Sequence, residues 1–146
     1  YHENVLVQPG GVSLGGVPID LTRIDLPVYW VSTKEDHIAP WKSTYAATQI
    51  YRSKRKRCVL AGSGHIAGVV NPASSTKYGY WTNDELPPDP DTWFAGAVQH
   101  EGSWWPDWAR WNASLAGGKV PAREPGAGEL EPLEDAPGSY VKARLG

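Results

Sequence analysis

The sequence predicts a loop-rich α/β fold of parallel strands with flanking helices, and three observations carry that reading. Val28-Tyr29-Trp30-Val31 and Cys58-Val59-Leu60-Ala61 are short, continuous apolar runs separated by one helix-length stretch. Strand, helix, strand is the repeating unit of parallel sheets, whose strands are apolar on both faces. Sixteen glycines and thirteen prolines in 146 residues keep the elements short. Finally, Trp104, Trp108, Trp111 and Leu115 recur at i, i+4, i+7 and i+11, the spacing of one helix face.

Taken in order, Asn4-Val5-Leu6-Val7 is too short to separate a strand from a helix end. Residues 13–27 read as extended chain and turns, broken by Gly15-Gly16, Pro18 and Pro27. After the first strand, Pro40 opens a helix that runs to about Tyr51, since proline at the first turn loses no hydrogen bond. Arg52 to Arg57 closes it with cations at the negative end of the helix dipole. Gly62-Ser63-Gly64 then turns the chain after the second strand and sets His65 just beyond its carboxyl end. The stretch from Pro72 to Pro90 is expected to be irregular. Asp89 caps a helix with Pro90 at its first position, using Trp93, Phe94, Ala97 and Val98 as its face and ending at Gly102. Ser103 caps the tryptophan helix, with Pro106 in its first turn and Gly117-Gly118 as its stop. Residues 1–116 are thus expected to form one α/β unit. Residues 117–146, rich in Gly, Pro and Glu, form a tail without a core of its own.

Composition removes several classes. No run of about 18 apolar residues is present, so no membrane-spanning helix is expected. A net charge of −2 argues against nucleic-acid binding, and the Arg52–Arg57 cluster is read as a solvated helix end. The single cysteine, Cys58, excludes an internal disulfide framework. The absence of methionine and the Tyr-His-Glu start suggest a piece of a longer protein. Half a sheet would leave an open strand edge, so self-association or marginal stability is expected. Eight tryptophans must find cover, because each buries on the order of 200 Å².

Asp36 and His65 are the residues with chemistry. Both follow carboxyl ends of consecutive parallel strands, where ligands bind in open α/β sheets. A carboxylate so placed holds an imidazole in one tautomer and stabilises the imidazolium formed on proton transfer. Acid loop, then histidine, is also the order of the last two members of an α/β-hydrolase triad. The small residues around His65 are expected to admit a substrate closely. No nucleophile in the chain suits them. Gly11-Val12-Ser13-Leu14-Gly15 matches the serine elbow in letters, but Pro9-Gly10 precedes it where a strand is needed, and Gly16 and Pro18 follow where a helix is needed. Cys58 lies inside a strand and reads as a small core residue.

EDHIAPW, GSGHIAGVVNP, WTND and GSWWPDW, together with GVPIDL and APGSYVKA, resemble the C-terminal region of class I poly(3-hydroxyalkanoate) synthases over essentially the whole chain. The resemblance implies the C-terminal portion of an α/β-hydrolase fold and an acyltransferase that polymerises (R)-3-hydroxyacyl-CoA with release of CoA. Asp36 and His65 match the family's catalytic acid and histidine, while the family's nucleophilic cysteine lies in an upstream box that has no counterpart here. His37 either lines the site or is structural. The resemblance further implies a homodimer on cytoplasmic polyester granules, with no metal and no resident cofactor, CoA entering as part of the substrate. The isolated chain is expected to be inactive. An esterase or depolymerase fragment would share the Asp–His logic, and a tryptophan-rich polymer-binding module is the reading that needs no catalysis.

Overall fold

A computed structural model describes residues 2–144, which fall into two compact units divided between Leu115 and Ala116. In the first, a 3₁₀ turn, Val5–Val7, resolves the ambiguous apolar start and precedes a small hairpin, after which comes a second 3₁₀ turn, Leu21–Arg23. The hairpin strands β1 (Ser13–Leu14) and β2 (Val17–Pro18) are joined at Gly15 and Gly16, both at positive φ where glycine alone is unstrained. Then follow β3 (Val28–Thr33), α1 (Trp41–Tyr45), α2 (Ala47–Ile50), β4 (Lys56–Ala61), β5 (Tyr80–Thr82), α3 (Pro90–Ala95), β6 (Val98–His100) and α4 (Trp105–Ala113).

The main sheet has the order β3-β4-β5-β6. β3 and β4 pair in parallel from Val28↔Lys56 to Thr33↔Ala61. The expectation of parallel strands holds for this pair only. β5 runs antiparallel to β4, and β6 antiparallel to β5, so the sheet is mixed. β4 is interior and buried on both faces, which explains its unbroken apolar run. Cys58 and Leu60 point to one side and pack with Tyr45 and Trp93. Val59 and Ala61 point to the other and pack with Tyr80 and Trp104. Among the described residues, β3 pairs with β4 alone, and its other edge has no strand partner.

Three elements depart from expectation. The helix from Pro40 to Tyr51 is two pieces that meet at Ala46. The supposedly irregular Pro72–Pro90 stretch contains β5. The helix capped by Asp89 begins as expected, with the carboxylate accepting the Thr92 N–H at 2.7 Å, but it ends at Ala95. Val98 belongs instead to β6, opposite Thr82. Gly96 ends the helix and pairing with β5 takes over, an interaction that helical spacing along the chain cannot reveal.

Two ties lock α4 to the sheet. Arg57 of β4 donates from Nε and Nη2 to the two oxygens of Asp107, at 2.7 and 2.6 Å. The Tyr29 hydroxyl donates to the same carboxylate at 2.8 Å. The tryptophan stripe is covered only in part. Trp104 is buried, and Trp111 meets Tyr29 edge-on at 5.3 Å, whereas Trp108 and Leu115 stay over a third exposed. In the second unit no described residue is buried. Its regular structure is one 3₁₀ turn, Tyr140–Lys142, next to Ser139, whose N–H and hydroxyl both donate to Glu134.

Candidate active site

Asp36 and His65 lie just past the ends of β3 and β4, in loops that the strand pairing itself aligns. The ladder continues beyond the strands, with the Lys34 N–H donating to the Ala61 carbonyl at 2.8 Å and the Glu35 N–H to that of Ser63 at 3.1 Å. The two loops therefore leave the sheet side by side. Asp36 Oδ2 lies 2.7 Å from His65 Nδ1, across 29 positions of sequence. Asp36 Oδ1 accepts the backbone N–H groups of Ile38 at 2.9 Å and Ala39 at 2.8 Å, so the carboxylate caps its own loop while it faces the ring.

The Ala39 N–H first, and then the His65 ring, hold the Asp36 carboxyl down at about 2. It is a carboxylate at any ordinary pH and can only accept. The proton between the two residues therefore belongs to His65 Nδ1, which leaves Nε2 of the neutral ring as an acceptor. Nε2 has no hydrogen-bond partner among the described residues, and the His65 side chain is 45% exposed against 8% for Asp36. The geometry is that of a base held by a fixed anion and open on its reactive side.

Two of the glycines around His65 are fixed by close packing. A Cβ on Gly62 would stand 2.3 Å from the Tyr78 carbonyl oxygen. One on Gly68 would stand 2.5 Å from both the Gly62 carbonyl oxygen and Thr33 Cγ2. Only at Gly64 is the space near the histidine open, the nearest atom being the Glu35 carbonyl oxygen at 3.9 Å. Ser63 sits at φ 72°, a left-handed conformation that a non-glycine residue keeps only when its neighbours impose it. Here the Ser63 carbonyl is held by Glu35.

Sequence reasoning missed a second set of residues. Past His65 the chain makes one helical turn, in which the Gly68 N–H bonds the Gly64 carbonyl and the Val70 N–H that of Ile66. The start of α4 grips this turn. Trp104 Nε1 donates to the Gly68 carbonyl at 3.1 Å, Trp105 Nε1 to that of Val69 at 3.0 Å, and the Ser103 hydroxyl to that of Asn71 at 2.8 Å. The one available signal was the run Ser103-Trp104-Trp105, which puts three donors in succession before a proline.

His37 is exposed and makes no hydrogen bond to the described residues. Ser13 lies on the exposed β1–β2 hairpin. Cys58 is 4% exposed within β4, where burial pushes its thiol up to about 12, far from an activated nucleophile. A cleft of about 710 Å³ is lined by Arg23, Asp25, Arg52, Lys54 and Arg55 near the amino ends of β3 and β4, opposite the histidine. A smaller one, about 390 Å³, opens on the His65 turn itself between Ala67, Val70, Pro72 and Tyr78. Ile38, two residues past Asp36, and Ile66, beside His65, present exposed apolar side chains. Most of the tryptophans serve packing. Trp93 and Trp104 are buried, and Trp30, Trp41 and Trp81 pack against the core.

The fold and the pair define a mixed α/β unit that carries an oriented histidine at the carboxyl edge of its sheet. No protein-family model matches the chain. Over 146 residues, 99% of this chain, it is 49% identical to the poly(3-hydroxyalkanoate) polymerase subunit PhaC of Cupriavidus necator. It is 46% identical to the protein of the same name from Rhizobium meliloti and 43% identical to the poly(3-hydroxyalkanoate) polymerase of Methylorubrum extorquens, again over 99% of the chain. The chain belongs to the poly(3-hydroxyalkanoate) polymerase family. It spans about a quarter of the length of these relatives, 24%, 23% and 24% respectively.

Proposed function

We propose that the chain is the acid/base part of a poly(3-hydroxyalkanoate) synthase of class I, within a catalytic domain of α/β-hydrolase type. In this reading the whole protein polymerises (R)-3-hydroxyacyl-CoA and releases CoA. The observation that carries it is the 2.7 Å contact between Asp36 and His65 Nδ1, with Nε2 unpartnered on an exposed face. The family membership supports the substrate class.

In the proposed reaction His65 Nε2 takes the proton of a cysteine thiol contributed by the rest of the protein. The thiolate attacks the thioester carbonyl carbon, and the C–S bond to CoA breaks. The imidazolium returns its proton to the departing CoA sulfur, so the histidine ends neutral and the acyl group sits on the enzyme. In chain growth the 3-hydroxyl of an acyl group gives its proton to His65 Nε2 and attacks the carbonyl carbon of an acyl group held on a cysteine; the ester C–O bond forms, the C–S bond to that cysteine breaks, and the imidazolium returns the proton to the cysteine sulfur. Two features support an orienting role for Asp36 over direct deprotonation of that hydroxyl. Both of its oxygens already accept hydrogen bonds, and a carboxyl held at about 2 is a weak base. Its negative charge stabilises the imidazolium that forms beside it. CoA enters as substrate, and no resident cofactor or metal takes part.

The exposed apolar residues Ile38 and Ile66 would face the acyl or polyester chain. His37 is proposed to line the same opening. Action as a homodimer at the surface of cytoplasmic polyester granules belongs to the same reading. To test it, the whole protein is incubated with a non-extendable (R)-3-hydroxyacyl-CoA analogue, and the acyl adduct is located by peptide mapping. The adduct is expected on a cysteine outside these 146 residues. An adduct on Cys58 or Ser13 would overturn the assignment.

A further inference from the structure

The geometry points to Trp105 as a positioning residue for the Asp36–His65 pair, acting through the carbonyl of Val69. The inference rests on the reading of His65 as the base, and the experiment below separates the two.

The two members of the pair are held very differently. Asp36 is fixed from within its own loop by two backbone donors. His65 is half-exposed, and among the described residues its ring is tied only through Nδ1. Its place therefore depends on the turn that carries it. That turn is a single helical turn, and the carbonyls at its end have no further turn to satisfy them. Three consecutive residues of another element supply the donors, Ser103 to Asn71, Trp104 to Gly68 and Trp105 to Val69. The platform is firm, because Asp107 in the first turn of α4 is locked to Arg57 and Tyr29 of the sheet.

Of the three donors, Trp105 is the one free of core duty. Trp104 is 6% exposed and packs with Val59, Ala61 and Tyr80, so its removal would damage the core as well as the bond. Ser103 also accepts the Trp105 backbone N–H at 3.2 Å, so its removal would disturb the entry to α4 as well as the bond to Asn71. Trp105 is 38% exposed and lies stacked on Trp104 at 4.8 Å, with its indole N–H on the Val69 carbonyl, four residues past His65. Its one donor is aimed at the turn that carries the base. Displacing a reacting group by about 1 Å can cost on the order of 10²-fold in rate, so a clamp one turn away from the base has leverage.

The test compares Trp105→Phe, a benzothienylalanine at position 105 (the same ring shape with sulfur in place of N–H) and Trp108→Phe. Trp108 is a neighbouring, equally exposed ring with no bond to the turn. The first readout is the His65 Nδ1–H proton resonance in the full 146-residue chain, assigned by its loss in His65→Gln. It is expected to broaden or vanish in both position-105 variants and to persist in Trp108→Phe. The second readout is CoA release by the whole protein, where the position-105 variants are expected to lower kcat about ten-fold with KM changed less than two-fold. An unaltered Nδ1–H resonance in the benzothienylalanine protein overturns the inference, even if Trp105→Phe fails to fold. A lost resonance with unchanged kcat overturns it too. If His65→Gln itself leaves catalysis intact, the reading of His65 as base fails, while the resonance still reports whether Trp105 holds the ring.

Discussion

The guanidinium of Arg57 grips the carboxylate of Asp107 with two hydrogen bonds, 2.7 Å from Nε and 2.6 Å from Nη2, and so fastens α4 to the central strand β4. Burial alone would raise the Asp107 carboxyl, but the bonds from Arg57 and the Tyr29 hydroxyl outweigh it and hold it below the ordinary range. Asp107→Ala takes the acceptor from Arg57 Nε and Nη2 and from the Tyr29 hydroxyl, and leaves Arg57 only its 3.2 Å pair with the exposed Asp84 through Nη1. With Arg57 still 23% exposed, the cost is expected near the lower end for such pairs, about 2–3 kcal/mol. Urea unfolding checks this, and a loss under about 0.5 kcal/mol, the size of an ordinary surface change, would contradict it.

Gly68→Ala and Gly64→Ala form a matched pair on either side of the histidine turn. The first places a Cβ 2.5 Å from both backbone and Thr33, and the second meets nothing closer than 3.9 Å. The expected costs are about 1–3 kcal/mol for Gly68→Ala and within about 0.5 kcal/mol for Gly64→Ala. Equal thermal midpoints for the two variants would show that the turn does not pack as described.

Acid sensitivity follows from the depressed carboxylates. Asp36, at about 2, and Asp107 and Asp89, both below their ordinary value, bind protons less readily folded than unfolded. Their contribution is fully present above the unfolded pKa of about 4 and is lost as pH falls from there toward 2. Urea midpoints measured from pH 6 to pH 2.5 should fall across that window, and Asp36→Asn should make the fall shallower. A midpoint that rises on acidification contradicts the assignment.

Cys58 should behave as a core atom. With the residue buried and its thiol pushed up to about 12, alkylation by iodoacetamide at pH 8 is expected to be slow when folded and rapid in urea. Fast labelling of the folded chain would contradict its burial.

What the sequence made legible follows from what each signal encodes. β4 announced itself because a strand buried on both faces reads as an unbroken apolar run, and β3, half-buried at the edge of the sheet, is β-branched and aromatic from Val28 to Val31. The meeting of Asp36 and His65 followed from two loops leaving the same edge of a parallel pair. β5 and β6 were hidden because each is three residues long and gains its identity from partners distant in sequence. Val98 completes an apparent helix face with Trp93, Phe94 and Ala97, although Gly96 between them is where the helix stops. The Trp104–Trp105 grip on the His65 turn was invisible for a related reason. Helical spacing shows which rings share a face, whereas these two act through their N–H groups on carbonyls 36 positions away.

The central claim is that His65 is the catalytic base and Asp36 the anion that holds it. Its most direct test is the rate of CoA release from (R)-3-hydroxybutyryl-CoA by the whole protein, compared with Asp36→Asn and His65→Gln variants shown to be folded. Removal of a positioned base or its orienting carboxylate costs on the order of 10²–10⁴-fold, and losses of that size are predicted for both variants. Release within two-fold of the unaltered protein in either variant would contradict the account.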